Sequence, residues 1–159
     1  HRSADGAAHG AGRRRDGREA DLLPTVRLPM VANVSTPLAG KFNIIGRIIG
    51  ANFNITTDQA IAMIASRYVI RRIVVQNASV SMSTAQGGFY TAAAKGGTAI
   101  VAATQAYSVL TAAAKFIDLT LAAILGTDVR TEGTLYFSLT TGQGVAATAD
   151  IDIIGEVVP

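Results

Sequence analysis

The chain has 159 residues, a formal net charge of +3, two histidines and no cysteine. This length suits one domain, and 49% apolar residues are enough to bury a core. The lack of cysteine excludes a disulfide framework and a thiolate metal site. Because both histidines, His1 and His9, precede residue 10, the rest of the chain cannot supply a Ser–His or Cys–His nucleophile arrangement. We therefore expect neither an enzyme nor a protein with a cofactor or metal.

Residues 1–20 are polar and carry five arginines, among them Arg13, Arg14, Arg15 and Arg18, against three acidic residues. They hold no large apolar side chain, so burial cannot offset their chain entropy. We predict an arm that becomes ordered on another subunit. The arginines could contact phosphate, or the carboxylates and aromatic rings of a neighbouring protein. Residues 21–159 are nearly neutral, with nine basic and eight acidic residues, which disfavours nucleic acid as the partner.

The next twenty residues contain Pro24, Pro29 and Pro37. Proline fixes φ and removes a backbone donor, which favours an extended connector or an edge segment. The predicted organisation is therefore an arm and connector over residues 1–40, followed by a folded domain over residues 41–159.

The first half of the folded domain contains several short apolar stretches that predict strands. They are Phe42–Ile49, Ala51–Thr56 and, after a polar break at Thr57–Asp58, Ala60–Ile64. We expect the Asp58 side chain to cap or turn the chain here.

Tyr68–Ala78 is apolar on both faces except for Arg71 and Arg72, which predicts a central strand. Adjacent strand residues point to opposite faces, so one of the two arginines is expected to point inward. It would need a carboxylate or an intersubunit contact there. The alternative is an edge arginine that extends to solvent. Both arginines are candidate partner-binding residues.

Ala99–Leu125 is rich in alanine, the best helix former, but a single helix here would have almost no polar face. Strands are therefore favoured, with a short helix within Ala112–Leu125 left open. The pairs Gly87–Gly88 and Gly96–Gly97 are interpreted as turns.

Three C-terminal stretches alternate with period two. They are Phe116–Leu121, Thr134–Thr141 and Thr148–Val158. Strands recur about every 10 to 15 residues, which is typical of an antiparallel β-sandwich. The predicted fold is therefore all-β, an antiparallel and jelly-roll-like sandwich with an extended N-terminal arm. The longest charge-poor stretch contains Lys115 and Asp118, so we expect no membrane span.

Two patterns resemble known sites. Residues 142–147 read GQGVAA and match the GxGxxA of dinucleotide-binding loops, but a strand rather than a helix is predicted after them, which favours a hairpin loop. Asp150 and Asp152 share one face of the last strand and could bind Ca²⁺ or serve acid–base chemistry. Solvated charges on an outer face are the commoner use of such a pair.

The phrases RYVIRRIVVQNASVSMSTAQGGFYTAAAKGG and GTLYFSLTTGQGVAATADIDIIGEVV carry a resemblance that covers roughly residues 50–159. They resemble small Ala/Thr-rich virion proteins of tailed bacteriophages, which are β-sandwich or jelly-roll proteins. The resemblance implies a capsid decoration, or cement, protein on the phage head, bound to the major capsid protein or another virion protein. It also implies self-association, as a homotrimer.

Three other functions stay open from the sequence. The first is a tail, collar or head–tail connector component of the same kind of virion. The second is a carbohydrate-binding or receptor-binding sandwich, for which the stacking aromatic residues would come from Tyr68, Tyr90, Tyr107 and Tyr136. The third is a hydrolase, for which the candidate carboxylates are Asp118, Asp128, Asp150 and Asp152.

Overall fold

The computed structural model describes residues 41–122 and 126–159. The arm and connector, including Arg13, Arg14, Arg15 and Arg18, lie outside these residues, so the prediction made for them stays a prediction. Within the described part the regular elements are all strands, and there is no helix.

Eight strands form two four-stranded antiparallel sheets. The strands are β1 (Phe42–Asn52), β2 (Gln59–Ala62), β3 (Tyr68–Gln76), β4 (Gln86–Ala92), β5 (Gly96–Val101), β6 (Phe116–Asp118), β7 (Thr134–Thr141) and β8 (Thr148–Val157). Sheet A has the order β1-β8-β3-β6, and sheet B has the order β2-β7-β4-β5. The chain changes sheet at every connection except β4–β5, and this nested order is that of a jelly roll. The predicted fold class is confirmed.

The core lies between the two sheets, where period-two alternation directs apolar side chains inward. Leu135, Phe137 and Leu139 of β7 face Ile151 and Ile153 of β8 across it, and all five are fully buried. The bounds of β7 are those predicted, and β8 differs from the prediction by one residue. The alternation therefore locates these two strands correctly.

The prediction for Tyr68–Ala78 is also confirmed, because β3 lies between β8 and β6 inside sheet A. The first strand predicted before residue 57 and the first two residues of the second form a single strand, β1, which passes through two irregularities in its pairing with β8. The prediction of strand at residues 53–56 is wrong, because β1 ends at Asn52.

The prediction of a turn at Gly87–Gly88 is wrong, because both residues lie within β4. A Cβ atom on Gly88 would lie 2.3 Å from the carbonyl oxygen of Val101, so the neighbouring backbone leaves no room for a side chain. Glycine here permits a close approach of two backbones. Gly96 and Gly97 likewise begin β5 rather than forming a separate turn.

The strand interpretation of the alanine-rich stretch holds only in part, because the end of β5 and all of β6 lie within it, while residues 102–115 form the connection between them. The optional short helix is absent from residues 112–122, and residues 123–125 lie outside the described part. In the described residues no helix is long and apolar enough to cross a membrane.

Candidate functional site

One end of the sandwich gathers four connections, because antiparallel strands in a jelly roll bring β1–β2, β3–β4, β5–β6 and β7–β8 to the same side. We call this surface the loop end and define it as residues 53–58, 77–85, 102–115 and 142–147. Backbone hydrogen bonds join its loops to one another and to β8. Phe53 N donates to Ala147 O over 2.8 Å, Ser79 N to Thr148 O over 2.8 Å and Met82 N to Leu110 O over 2.9 Å.

Gln143 is the polar centre of the loop end and is almost fully buried. Its Oε1 accepts hydrogen bonds from the backbone N–H groups of Thr84 and Ala85 over 3.1 and 3.2 Å. Its Nε2 donates to Ser83 Oγ over 3.2 Å, and its backbone N donates to Phe53 O over 2.8 Å. A buried amide satisfied on both sides fixes the loops around it.

Gln143 belongs to the GQGVAA segment, which connects β7 and β8. A strand follows the segment, so no helix N-terminus is present to receive a pyrophosphate. The segment is a loop, as predicted, but the prediction of a hairpin is wrong, because β7 and β8 lie in different sheets and the loop connects the two sheets.

Aromatic side chains fill the space beneath the loop end. The ring centroid of Phe137 lies 4.9 Å from that of Phe53, 5.1 Å from that of Phe89 and 6.1 Å from that of Tyr107. The phenol of Tyr107 donates to Gly87 O over 3.1 Å, and burial raises its pKa. Packed aromatic rings support the loops from below and make this end of the sandwich solid.

The surface of the loop end has few charges and is partly apolar. Its four segments contain two charged residues, Asp58 and Lys115, each next to the strand that follows. Val80, Val109 and Val145 lie in three different loops, and they are 36%, 57% and 56% exposed. The remaining residues are mainly Ala, Ser, Thr, Gly and Asn, whose side chains are small. Such a surface suits a close contact with another protein, since charged residues are depleted at the centres of protein interfaces.

The opposite end of the sandwich is charged. Arg130, in the β6–β7 connection, contacts Glu132 over 3.5 Å and Asp128 over 3.6 Å. Lys95 lies in the β4–β5 turn, and Arg67 contacts the backbone of Pro159. The two ends of one domain therefore differ in their electrostatic character.

The outer face of sheet A carries ion pairs. Cross-strand pairing places Arg47, Asp152, Val74 and Asp118 in one row across all four strands. Arg47 Nε donates to Asp152 Oδ1 over 2.5 Å, and Gln76 Nε2 donates to Asp152 Oδ2 over 3.0 Å. The Asp152 carboxylate is only 8% exposed, so this pair is partly removed from water.

The prediction that one member of the Arg71–Arg72 pair points inward is wrong. The pairing of β3 with β8 shifts between Ile70 and Arg72, which makes Arg71 the extra residue of a β-bulge. Both arginines are therefore exposed, while Ile70 and Ile73 on either side stay buried. Sequence spacing alone cannot reveal a bulge, because the extra residue is accommodated only when the partner strand is known.

Both arginines are engaged within the chain. Arg71 contacts Glu156 over 3.1 Å and also donates to Gly126 O, and Arg72 Nε donates to Asp118 Oδ2 over 2.8 Å. Their candidate role in binding a partner stays a prediction, and any such contact would compete with these pairs.

Asp150 and Asp152 lie on the outer face of β8, as predicted, but they are not a solvated pair. Asp150 accepts hydrogen bonds from Asn77 Nδ2 over 2.7 Å and from Gly50 N over 2.8 Å, and these bonds lower its pKa. Asp152 is buried by its own partners. Among the described residues, no group of three or more acidic, His or Cys side chains could hold a metal ion.

Asp58 caps a turn that is distant in sequence. It precedes β2 and accepts a hydrogen bond from Ala94 N, which follows β4; β7 lies between these two strands, so the contact reaches across β7. This bond lowers the pKa of Asp58. Tyr90 of β4 is buried on this side, and its pKa is raised by burial and by the Asp58 charge.

A shallow cleft of about 490 Å³ lies beside β5. Thr104, Gln105 and Thr120 supply its polar groups, and alanines and Leu121 supply the rest. The lining has no acid or base, so it offers shape but no proton transfer.

Comparison with protein-family models, with curated proteins and with solved structures gives no significant match. The class defined by the fold is thus an eight-stranded jelly-roll sandwich whose loop end carries few charges and is held by hydrogen bonds between its loops.

Sequence reasoning missed the residues that build the loop end. Gln143 was identified only as part of a glycine pattern, and Val80, Val109 and Val145 were not singled out. One signal was available, since four segments with only two charged residues between them, Asp58 and Lys115, recur at alternate connections along the chain. This signal can be interpreted only when the strand order shows that the four segments meet at one end of the sandwich.

Proposed function

We propose that this chain is a virion structural protein of the capsid decoration, or cement, type, which attaches to a phage head and stabilises it. The observation that carries the proposal is the jelly-roll order of the two sheets, which viral capsid domains share with lectins and cupins. A fold by itself does not assign a function. We therefore compare the residues of this chain with what a cupin, a lectin and a capsid protein each require.

The cupin use requires a ligand cup between the sheets. In this chain Phe53, Phe89, Tyr107 and Phe137 occupy the interior at the loop end and contact one another there. The described residues also contain no histidine for a metal site of the cupin kind. At this end the interior is therefore filled by packed side chains.

The lectin use favours exposed aromatic rings that stack on sugars. Tyr68, Tyr90 and Tyr107 are buried, and the phenol of Tyr68 donates to Glu132 O over 2.8 Å. Only Tyr136 of the four tyrosines is partly accessible. The burial of these side chains weighs against the carbohydrate-binding alternative.

The structural use fits the remaining features. A densely packed sandwich, hydrogen-bonded loops and an end with few charges suit repeated contact with flat protein surfaces. In the proposal, the Arg-rich arm adds a second point of attachment, and each weak contact is multiplied over a symmetric shell. The partners are the major capsid protein or another virion protein and further copies of this chain.

The test compares particles with and without this chain. Virions assembled after deletion of its gene should lose DNA at a lower temperature, and after milder osmotic shock, than intact virions. Adding the purified chain back should restore the difference. Unchanged particle stability after deletion would contradict the cement role.

Copy number separates the head from the tail or neck. Quantitative mass spectrometry of purified particles should find hundreds of copies if the chain covers the shell. A dozen or fewer would instead support the tail, collar or connector alternative, and absence from particles would overturn the virion proposal.

A further inference from the structure

We propose that residues 92–95, at the tip of the β4–β5 hairpin, form a flap that the Asp58 carboxylate holds over Tyr90 on the outer face of sheet B. The flap opens before the rest of the sandwich unfolds, and its opening exposes the Tyr90 ring. It lies within the sandwich domain and does not depend on the proposed virion role.

The register of sheet B shows that the hairpin folds back. Gln59 of β2, Phe137 of β7 and Phe89 of β4 lie in one row across the sheet. In a straight strand Ala94 would lie about 17 Å beyond this row, because it follows Phe89 by five residues at about 3.4 Å each. Yet Ala94 N donates to the carboxylate of Asp58, the residue next to Gln59. The hairpin therefore turns back along the sheet toward Asp58.

Tyr90 lies beneath this contact. Its neighbour Phe89 belongs to the core between the sheets, so the Tyr90 side chain points to the outer face of sheet B. Even there it is only 4% exposed, and its pKa is raised by burial and by the charge of Asp58, which places the phenol close to that carboxylate. The pairing of β4 with β5 is irregular on both sides of Tyr90, and bulges of this kind bend the hairpin over the ring.

The flap is weakly held apart from Asp58. Its four residues are all exposed, so it buries little apolar surface. Ala94 and Lys95 have positive φ, which is unfavourable for residues with a side chain. Asp58 accepts the Ala94 N–H and attracts the Lys95 ammonium group. Segments with few buried contacts open first in local unfolding, so loss of the Asp58 carboxylate should release the flap.

The Tyr90 hydroxyl favours opening. Within the part of the chain that the structure describes, it is buried without a hydrogen-bond partner. A buried hydroxyl in this state costs free energy, and solvent can satisfy it once the flap opens. Opening is therefore favoured by hydration of Tyr90 and opposed by the Asp58 contact.

Acid should open the flap. Hydrogen bonds from Ala94 N and from the Ser138 side chain lower the pKa of Asp58 below its ordinary 3.8. The contact is therefore complete above the ordinary value and is lost as pH falls through the lowered one. Lys95, Tyr90 and Tyr136, which pairs with Tyr90, also face this contact. Amines and phenols do not titrate between about pH 3 and pH 7, so Asp58 is the group that responds.

Hydroxyl-radical footprinting with mass spectrometry measures the exposure of each tyrosine ring in the full chain. At neutral pH, Asp58→Ala should raise the oxidation of Tyr90 about tenfold, since the loss of a hydrogen bond to a charged group changes an opening equilibrium by about that factor or more. Tyr68 and Tyr107 are fully buried in the core and should stay protected. The matched control is Asp150→Ala, which removes a carboxylate of similarly lowered pKa from sheet A and should leave Tyr90 protected.

A pH series on the wild-type chain makes the test independent of any folding defect in Asp58→Ala. Oxidation of Tyr90 should rise at a higher pH than that of Tyr68 and Tyr107. Simultaneous exposure of all three rings would overturn the inference, because the flap and the sandwich would then open together. So would protection of Tyr90 in a folded Asp58→Ala chain, or equal exposure of Tyr90 in Asp150→Ala.

Discussion

At the scale of single residues, Asp152 is the charged group on which sheet A depends most. Its carboxylate joins Arg47 of β1 to Gln76 of β3 across the strand that separates them. The three side chains thus connect three neighbouring strands on one face.

We predict that Asp152→Ala lowers the free energy of unfolding by roughly 1–2 kcal/mol, because it leaves Gln76 and the half-exposed Arg47 without their acceptor. The matched control is Asp118→Ala. Its carboxylate pairs with Arg72, both side chains are about half exposed, and its loss should cost under about 0.5 kcal/mol. Urea denaturation measures both, and equal effects would contradict the ranking.

Acid should destabilise the fold through Asp58 and Asp150. Hydrogen bonds from Ala94 N and from Asn77 Nδ2, respectively, lower the pKa of each carboxyl below its ordinary 3.8. A lowered folded-state pKa contributes stability that is complete above the unfolded value and is lost as pH falls through the folded one. Melting temperatures should therefore drop below about pH 4.

The double variant Asp58→Asn with Asp150→Asn should show a smaller fall in melting temperature at acid pH. It should also be less stable at neutral pH, because its charge-assisted hydrogen bonds are lost. An acid limb of unchanged steepness in the double variant would show that other carboxylates control the transition.

At the scale of elements, the β4–β5 turn is the most unusual backbone. Ala94 and Lys95 have φ values of 55° and 57°, and Gly96 N donates to Ala93 O over 3.0 Å. Two central residues with positive φ define a type I′ turn, which strongly favours Asn-Gly. Asp58 offsets part of the cost by accepting the Ala94 N–H.

Replacing Ala94→Asn and Lys95→Gly should raise the free energy of unfolding by about 1 kcal/mol, because both new residues tolerate positive φ. Gly97→Ala is the control of opposite sign. Its φ is +69°, and a Cβ there would lie 2.2 Å from Thr91 Oγ1. Thermal denaturation of the two variants should move in opposite directions, and a destabilised Asn-Gly turn would refute this account.

The elements also show how far sequence reasoning reaches. The strands β7 and β8 follow from alternation alone, because one face is buried and the other is not. The position of β4 does not follow from alternation, because the Gly87–Gly88 pair predicts a turn. Glycine is needed at these positions because the backbone of a distant part of the chain lies too close for a side chain. The bulge at Arg71 depends on β8 in the same way.

At the scale of the whole molecule, the domain boundary predicted near residue 41 can be tested directly. The core described above draws its side chains from Ile45 to Ile153. A chain reduced to residues 41–159 should therefore melt within a few degrees of the full chain. A large loss of stability would show that residues before 41 belong to the folded unit.

The loop end could be assembled from the sequence only in part. The segments with few charges are visible in the sequence. That they meet at one end follows only from the strand order, which depends on pairs such as Arg47 and Asp152, 105 residues apart. Long-range pairing of this kind leaves no local pattern in the sequence, whereas burial of one strand face leaves a period-two alternation of apolar and polar residues.

The same strand order has a consequence for synthesis. The strands β7 and β8 are interior to their sheets, each between two earlier strands, yet they are the last to be made. Until they emerge, β1 and β2 have no sheet partners, and their edges remain available to other nascent chains. Folding should be slow for a domain of this size, since its main contacts are far apart in sequence. A chain that terminates before β7 would expose four unpaired strand edges and aggregate, so production of this protein should depend more on complete translation than on the composition of its surface.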